Sequence, residues 1–423
     1  MRLKTFEKLK LENKTVLLRV NFDVPLKNNE VADDSRIIAH LPTIRALSKK
    51  KAKIVLISHL GRPNKAKNKE TRIKNYGLKV IADFLNKIQT QKLKIKFIES
   101  IDERVIEEEV GRIEGGEIVL LENLRFWSGE EKNDKNFAKF LAGLADLYIN
   151  DAFSVCHRQH ASVAAITKYL PNYAGLLLEK EIENLSEVLN NPKKPLVFLM
   201  GGAKVSSKIL VIKNMAKIAD NILIGGALAN DFLKVEGRNI GQSLAEKTAR
   251  QVIEGLSRRA REKIILPVDV VINSKLQSKT QNLKVEELNK LENQNFKILD
   301  IGQETIGLFT KYLKNARMII WNGPMGLFEE KPFDRGTKKI AQTVMASKGA
   351  KIVIGGGDTI VALRQTQTNA DRDTRLVFVE SERADKRRKY SRKSASVFFS
   401  TGGGAMLEFL AGKKMPGITP LFK

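Results

Sequence analysis

The stretch Lys351–Arg364, KIVIGGGDTIVALR, decides how the chain is read. Lys351 to Ile354 has strand character, three glycines follow at once, and Asp358 and Thr359 open a segment whose apolar residues recur at helical spacing. The pattern is a strand, a tight turn and a helix start. Gly355, Gly356 and Gly357 lack Cβ atoms, so their backbone can approach an anion, and the helix N-terminus adds unpaired N–H groups and the positive end of a dipole. Asp358 admits two readings, a hard oxygen ligand for Mg²⁺ or an ordinary helix cap.

Outward from this corner, short β-rich runs alternate with helical patterns along the whole chain. They are Val16–Val20, Ile54–Ile57, Ile118–Leu121 and Leu147–Ile149 in the first half. The second half has Leu196–Met200, Ile222–Ile224, Ile264–Leu266, Met318–Trp321, Ile352–Ile354 and Val397–Phe399. Such alternation predicts an α/β fold of doubly wound, Rossmann-like parallel sheets covered by helices. At 423 residues with 42% apolar content the chain has material for two cores. Between the halves, GLLLEKEIENLSEVL has helical spacing and ends in NNPKKP, which reads as an interdomain hinge helix followed by a break. The expected organisation is a domain over 1–171, the helix and hinge over 172–194, a second domain over 195–405, and a segment over 406–423 that returns to the first domain.

Composition narrows the classes. No apolar run is long enough to span a bilayer and the N-terminus has no signal-like h-region, so a cytoplasmic protein without membrane partners is expected. A single cysteine, Cys156, excludes an internal disulfide and argues against a zinc cluster. The net charge of +26 fits nucleic acid, anionic small substrates or a general basic bias. The aromatic residues do not interleave with the basic runs, which disfavours a single-strand nucleic-acid platform.

In doubly wound sheets, ligands sit beyond the carboxyl ends of the strands. There the first half places basic residues: Arg19, Arg36, Arg62, Arg125 and Arg158, with His59 and His160. Each alone reads as a surface residue, but their shared position after strands suggests convergence on one anionic ligand. The second half places glycines there, in MGGAKVSSK, IGGALAN, WNGPMGLFE, GGGDT and STGGGA. Backbone amides with Lys204 and Lys208 would suit a polyphosphate, although these lysines also fit an exposed helix face. The P-loop pattern GxxxxGKS/T and the dinucleotide pattern GxGxxG are absent.

Taken together and in order, RVNFDVPL, SHLGRP, LLENLRF, NDAF with HRQH, MGGAKVSSK, WNGPMGLFE, GGGDT and STGGGA resemble the phosphoglycerate kinase family. The resemblance implies a two-domain hinge-bending enzyme of glycolysis and gluconeogenesis, a monomer. It would transfer a phosphoryl group reversibly between 1,3-bisphosphoglycerate and ADP, giving 3-phosphoglycerate and MgATP. By the same likeness, Arg19, Asn21, Asp23, Arg36, His59, Arg62, Arg125, Arg158 and His160 would hold the phosphoglycerate. Arg36, Lys204, Gly357 and Gly403 would face the group in transfer. Lys204, Lys208, Gly225, Gly226, Asn322, Glu329, Gly355, Gly356, Gly357, Asp358 and Thr359 would bind the nucleotide, with Asp358 on Mg²⁺.

Two departures from the family pattern stand out. The family usually reads RVDFNVP, whereas Asn21 and Asp23 interchange amide and carboxylate here, so Asp23 would repel a substrate carboxylate unless the loop is re-aimed. A long segment at about 366–394 also intervenes before Val397. It carries seven basic residues against one acidic between Arg383 and Lys393, which reads as a solvated loop or a contact for nucleic acid or an acidic partner. The rival reading is a basic binding protein on the same fold with lost turnover.

Overall fold

A computed structural model of the chain describes residues 2–63, 68–88, 94–274, 279–291, 294–366 and 396–423. Two compact units result, Met1–Glu183 with Lys414–Lys423, and Asn184–Lys413. The basic segment at about 366–394 lies, beyond Thr366, outside the described residues.

In the first unit six strands lie side by side, all parallel. Their spatial order is Ile95–Ile98, Ile118–Leu121, Lys53–Ile57, Thr15–Arg19, Leu147–Asn150, Asn172–Ala174. Their apolar runs are continuous because helices cover both faces. Alternate residues sort to opposite sides: Val16, Leu18, Ile54 and Leu56 pack with Ile37, Leu41 and Ile44 of the Ser35–Lys49 helix, while Leu17, Val55 and Ile57 pack with Ile106, Phe137 and Leu141. The chain leaves the Thr15–Arg19 strand toward one edge and the Leu147–Asn150 strand toward the other. Arg19 and Asn150, paired in register, therefore mark the point where the winding reverses.

The second unit repeats the plan with the order Ile264–Ile265, Asn221–Ile224, Leu196–Met200, Met318–Asn322, Lys351–Gly355, Ser396–Ser400, again all parallel. Its winding reverses between Leu196–Met200 and Met318–Asn322, so the corners beginning at Gly201 and Gly323 flank the reversal. The expectation of parallel sheets alone needs correction at two places. Leu26–Lys27 pairs antiparallel with Glu30–Val31 in the first unit, and a three-stranded sheet in the second unit is antiparallel throughout. Asp269–Ser274 pairs antiparallel with both Lys279–Lys284 and Phe296–Ile301, over a small core of Leu233, Val270, Ile272, Leu288 and Phe296. Four residues separate the first two of these strands, too few for a parallel crossover.

The helix Leu176–Asn190 begins in the first unit and ends in the second. No helix among the described residues is long and apolar enough to cross a membrane.

Candidate active site

At the reversal point of the first unit, Arg19 ends its strand fully buried, a position that a guanidinium tolerates only with its donors occupied. Nε donates to Ser162 Oγ at 3.0 Å, one Nη to the Val20 carbonyl, and the other to His59 Nδ1 at 3.1 Å. An arginine can only donate, so His59 carries its proton on Nε2, 3.8 Å from Asp23 Oδ2. Burial, and then the positive charges of Arg19, Arg125, Arg158 and His160, hold the His59 pKa well below its ordinary value. Of these four, Arg19 touches the imidazole directly, and Arg125, Arg158 and His160 act on it through their charge. Arg125 is buried, donates to the Gly61 carbonyl and pairs with Glu131 at 3.1 Å. Arg36 donates to the Asp23 carbonyl. Arg62 stands exposed beyond Gly61, outside this network of contacts.

The interchanged pair is re-aimed. Asp23 Oδ1 accepts from the Gly61 N–H at 2.8 Å and the Asp23 N–H donates to Asn21 Oδ1 at 3.1 Å, while Asn21 Nδ2 donates to Ser154 Oγ at 2.5 Å. The Asp23 carboxylate is thus engaged by the backbone of the Ser58–Pro63 loop, which follows the neighbouring strand.

Two supporting carboxylates were not among the expected site residues: Glu130 lies outside every motif, and Asp151 stands inside NDAF without a role assigned to it. Glu130 is buried and accepts from the Ser162 N–H at 3.0 Å and the Ser162 hydroxyl at 2.6 Å. Burial alone would raise its pKa, but His160, Arg19 and Ser162 together outweigh that and lower it. Glu130 therefore orients the serine that Arg19 grips. Asp151 is buried behind Arg19, where its N–H donates to the Arg19 carbonyl at 2.9 Å and its carboxylate lies 2.8 Å from His40 Nδ1.

In the second unit a cavity of about 460 Å³ is lined by Gly202, Gly226, Pro324, Asp300, Glu329 and Asp358, among others. Its walls need glycine. A Cβ on Gly201 would lie 2.0 Å from the Pro324 carbonyl oxygen, and Gly226, at φ +60°, would meet the Gly202 backbone N at 2.8 Å. Gly225 and Gly355 are packing positions against Met325 and Met406, and Asn322 is a buried strand end whose carbonyl accepts from Gly201 N–H. Thr359 is buried and its Oγ1 accepts from the Gly323 N–H at 2.7 Å, so it braces the opposite corner. Lys208 is largely buried, which lowers its pKa, and its Nζ donates to the Ala203 carbonyl.

The backbone amides after Lys204 correct one expectation. Val205 N–H is held by Asp231 Oδ2 at 3.2 Å and Ser206 N–H by Glu246 Oε2 at 2.7 Å, so this helix start already has its anions. The open helix starts are elsewhere. A Cβ added at Gly357, Gly403 or Gly404 would meet nothing within 4 Å. Asp358, next to Gly357, is an exposed carboxylate in the cavity wall, and no cluster of three or more metal-ligating side chains exists among the described residues. One carboxylate beside a phosphate cradle suits Mg²⁺, which keeps most of its shell as water and phosphate oxygen.

Buried arginines at one reversal point and glycine corners with lysines at the other define the class, an α/β phosphotransferase built in two halves. A family model described as "Phosphoglycerate kinase" matches residues 6–413. The chain is 42% identical over 418 residues to a phosphoglycerate kinase of Pseudothermotoga lettingae, covering 98% of this chain and 97% of that one. It is 40% identical to another from Thermosipho africanus, covering 99% and 97%. Among solved structures, phosphoglycerate kinase from Coxiella burnetii superposes with a TM-score of 0.78 at 35% identity, over 99% of both chains. The chain belongs to the phosphoglycerate kinase family.

Proposed function

We propose that the chain transfers a phosphoryl group reversibly between 1,3-bisphosphoglycerate and ADP, giving 3-phosphoglycerate and MgATP. The observation that carries this reading is the set of guanidinium groups fixed around a neutral His59, a preorganised cradle for an anion with a carboxyl and a phosphate. Arg19, Asn21, Arg36, His59, Arg62, Arg125, Arg158 and His160 bind the phosphoglycerate. In the nucleotide half, Gly226 and the Pro324–Glu329 wall take the nucleoside, and Lys208 with the amides at Gly356 and Gly357 takes its phosphates. Glu329 is positioned for the ribose hydroxyls. Asp358 is the protein ligand for Mg²⁺, which neutralises charge on the nucleotide phosphates when bound.

The acyl phosphate gives its phosphoryl group to a terminal oxygen of ADP and leaves as a carboxylate, so no general base is required. Lys204, Arg36 and the amides at Gly357 and Gly403 offset the negative charge spread over the group in transfer. The enzyme acts as a cytoplasmic monomer. A coupled assay of ADP release from MgATP and 3-phosphoglycerate tests the reading. Turnover is expected, with Lys204→Ala slowing it on the order of a hundredfold or more. Absence of turnover in the purified wild type would sink the proposal.

A further inference from the structure

His40 takes no part in the chemistry above, yet it is buried in a fully connected polar chain. Its Nε2 accepts the backbone N–H of Asn21 at 2.9 Å, and its Nδ1 lies 2.8 Å from Asp151 Oδ2. A backbone amide can only donate, so the ring's proton is on Nδ1 and points to Asp151. The other oxygen of Asp151 accepts from the Leu177 N–H at 2.9 Å and the Leu178 N–H at 3.3 Å, the opening amides of the Leu176–Asn190 helix. Three residues along from His40, Thr43 Oγ1 accepts the Leu176 N–H at 3.1 Å. The ring is 2% exposed, Asp151 and Thr43 are 0% exposed, and Phe22 packs edge-on against His40 with ring centroids 5.9 Å apart. An apolar side chain would fill this place without needing partners, so the connected chain calls for a role.

We propose that His40 is a positioning residue for the phosphoglycerate half of the site. Through the Asn21 N–H it sets the loop that carries Asn21 and Asp23, and through Asp151 it ties that loop to the start of the helix that continues into the second unit. This rests on the reading of Asn21 as a substrate contact. The two ring nitrogens do separate jobs, and two substitutions divide them. His40→Gln can keep an acceptor near the Nε2 position, and His40→Asn can keep a donor near the Nδ1 position while leaving the Asn21 N–H without its partner.

Steady-state kinetics of the full chain tests this. His40→Asn is expected to raise KM for 3-phosphoglycerate roughly tenfold with KM for MgATP unchanged, the loss of one buried acceptor. His40→Gln is expected to return it to within about twofold of wild type. Nitrogen NMR of the wild type should show His40 Nε2 as the unprotonated ring nitrogen. Equal KM values for 3-phosphoglycerate in both variants and wild type, or a protonated Nε2, would overturn the inference while leaving the kinase reading intact. A wild type without turnover would remove both. Should His40→Asn fail to fold, the NMR tautomer and the His40→Gln kinetics decide the matter.

Discussion

At the scale of single residues, the residues proposed for phosphate chemistry were picked out because most stand at or after strand ends, and strands are readable from apolar runs. Their partners were not. Arg19 is held by Ser162, 143 positions away, and His40 by Asp151, 111 positions away, and no local pattern encodes such pairs. Thr359 was expected at the nucleotide phosphates, and its hydroxyl accepts from the Gly323 N–H, a contact set by how two corners meet. Lys204 holds an unusual backbone conformation. It caps the Val205–Ile218 helix at φ 63° and ψ 92°, a region that disfavours any side chain with a Cβ. Glycine at this position relieves that strain, whereas alanine keeps it while losing the ammonium. Lys204→Gly is therefore expected to be more stable than Lys204→Ala by about 1 kcal/mol in urea, with turnover slowed on the order of a hundredfold or more in both. An alanine variant at least as stable as the glycine variant would show that the conformation is unstrained.

At the scale of elements, the parallel strands and the Leu176–Asn190 helix were legible, because long apolar runs and helical periodicity are local signals. Ile95–Ile98, the antiparallel trio and the edge strand Asn172–Ala174, which opens the stretch 172–194 expected to be helix and hinge, were missed. The first alternates with lysine and phenylalanine in KIKFI, and Asp269–Ser274 and Lys279–Lys284 mix polar residues into runs that bury one face over a minor core. That trio nevertheless lines the cavity of the second unit through Asp300. Asp300 sits within the Phe296–Ile301 strand, 3% exposed. Its carboxylate accepts from the Gly336 N–H at 2.7 Å and the Ile301 N–H at 2.9 Å, tying the strand to the helix Arg335–Met345. Glycine at 326 and 336 makes room, since a Cβ at either would lie 2.3 Å from Asp300 Oδ1. Burial pushes the Asp300 pKa up to about 7, against the pull of those two N–H groups and with Asp334 adding to the rise. The folded state thus holds a proton that the unfolded chain releases near pH 4. The stability this contributes is full below about pH 4 and is lost as pH rises through about 7. The melting temperature of the wild type, relative to Asp300→Asn, should therefore fall between pH 5 and pH 8. A constant difference over that range would mean that Asp300 is ionised in the folded protein throughout.

At the scale of the whole molecule, two units were legible from length and from the changed chemistry of the strand ends, basic in one half and glycine-rich in the other. What the charge of +26 serves was not legible, because composition has no address. The last ten residues carry a consequence for the first unit, into which they are built. Lys4 N–H donates to the Leu421 carbonyl at 2.7 Å, Gly417 N–H to the Cys156 carbonyl at 2.9 Å, and Asn150 Nδ2 to the Gly417 carbonyl at 3.0 Å. Met415, Ile418 and Leu421 are buried at 3%, 3% and 0% exposure. Covering three such side chains stabilises the first unit by about 5 kcal/mol as an upper estimate. The contacts fall on Asn150 and Cys156, which flank the turn that delivers Arg158. Removing Lys414–Lys423 should therefore lower the melting temperature and weaken 3-phosphoglycerate binding about tenfold or more, because the turn carrying Arg158 loses its support. The cavity proposed for the nucleotide is lined from the second unit, so MgADP affinity should change by less than about twofold. Titration calorimetry of both ligands on the truncated chain separates the cases. Equal losses for both ligands would mean that the two units share their stability, and no loss for either would mean that the C-terminal segment only covers a surface.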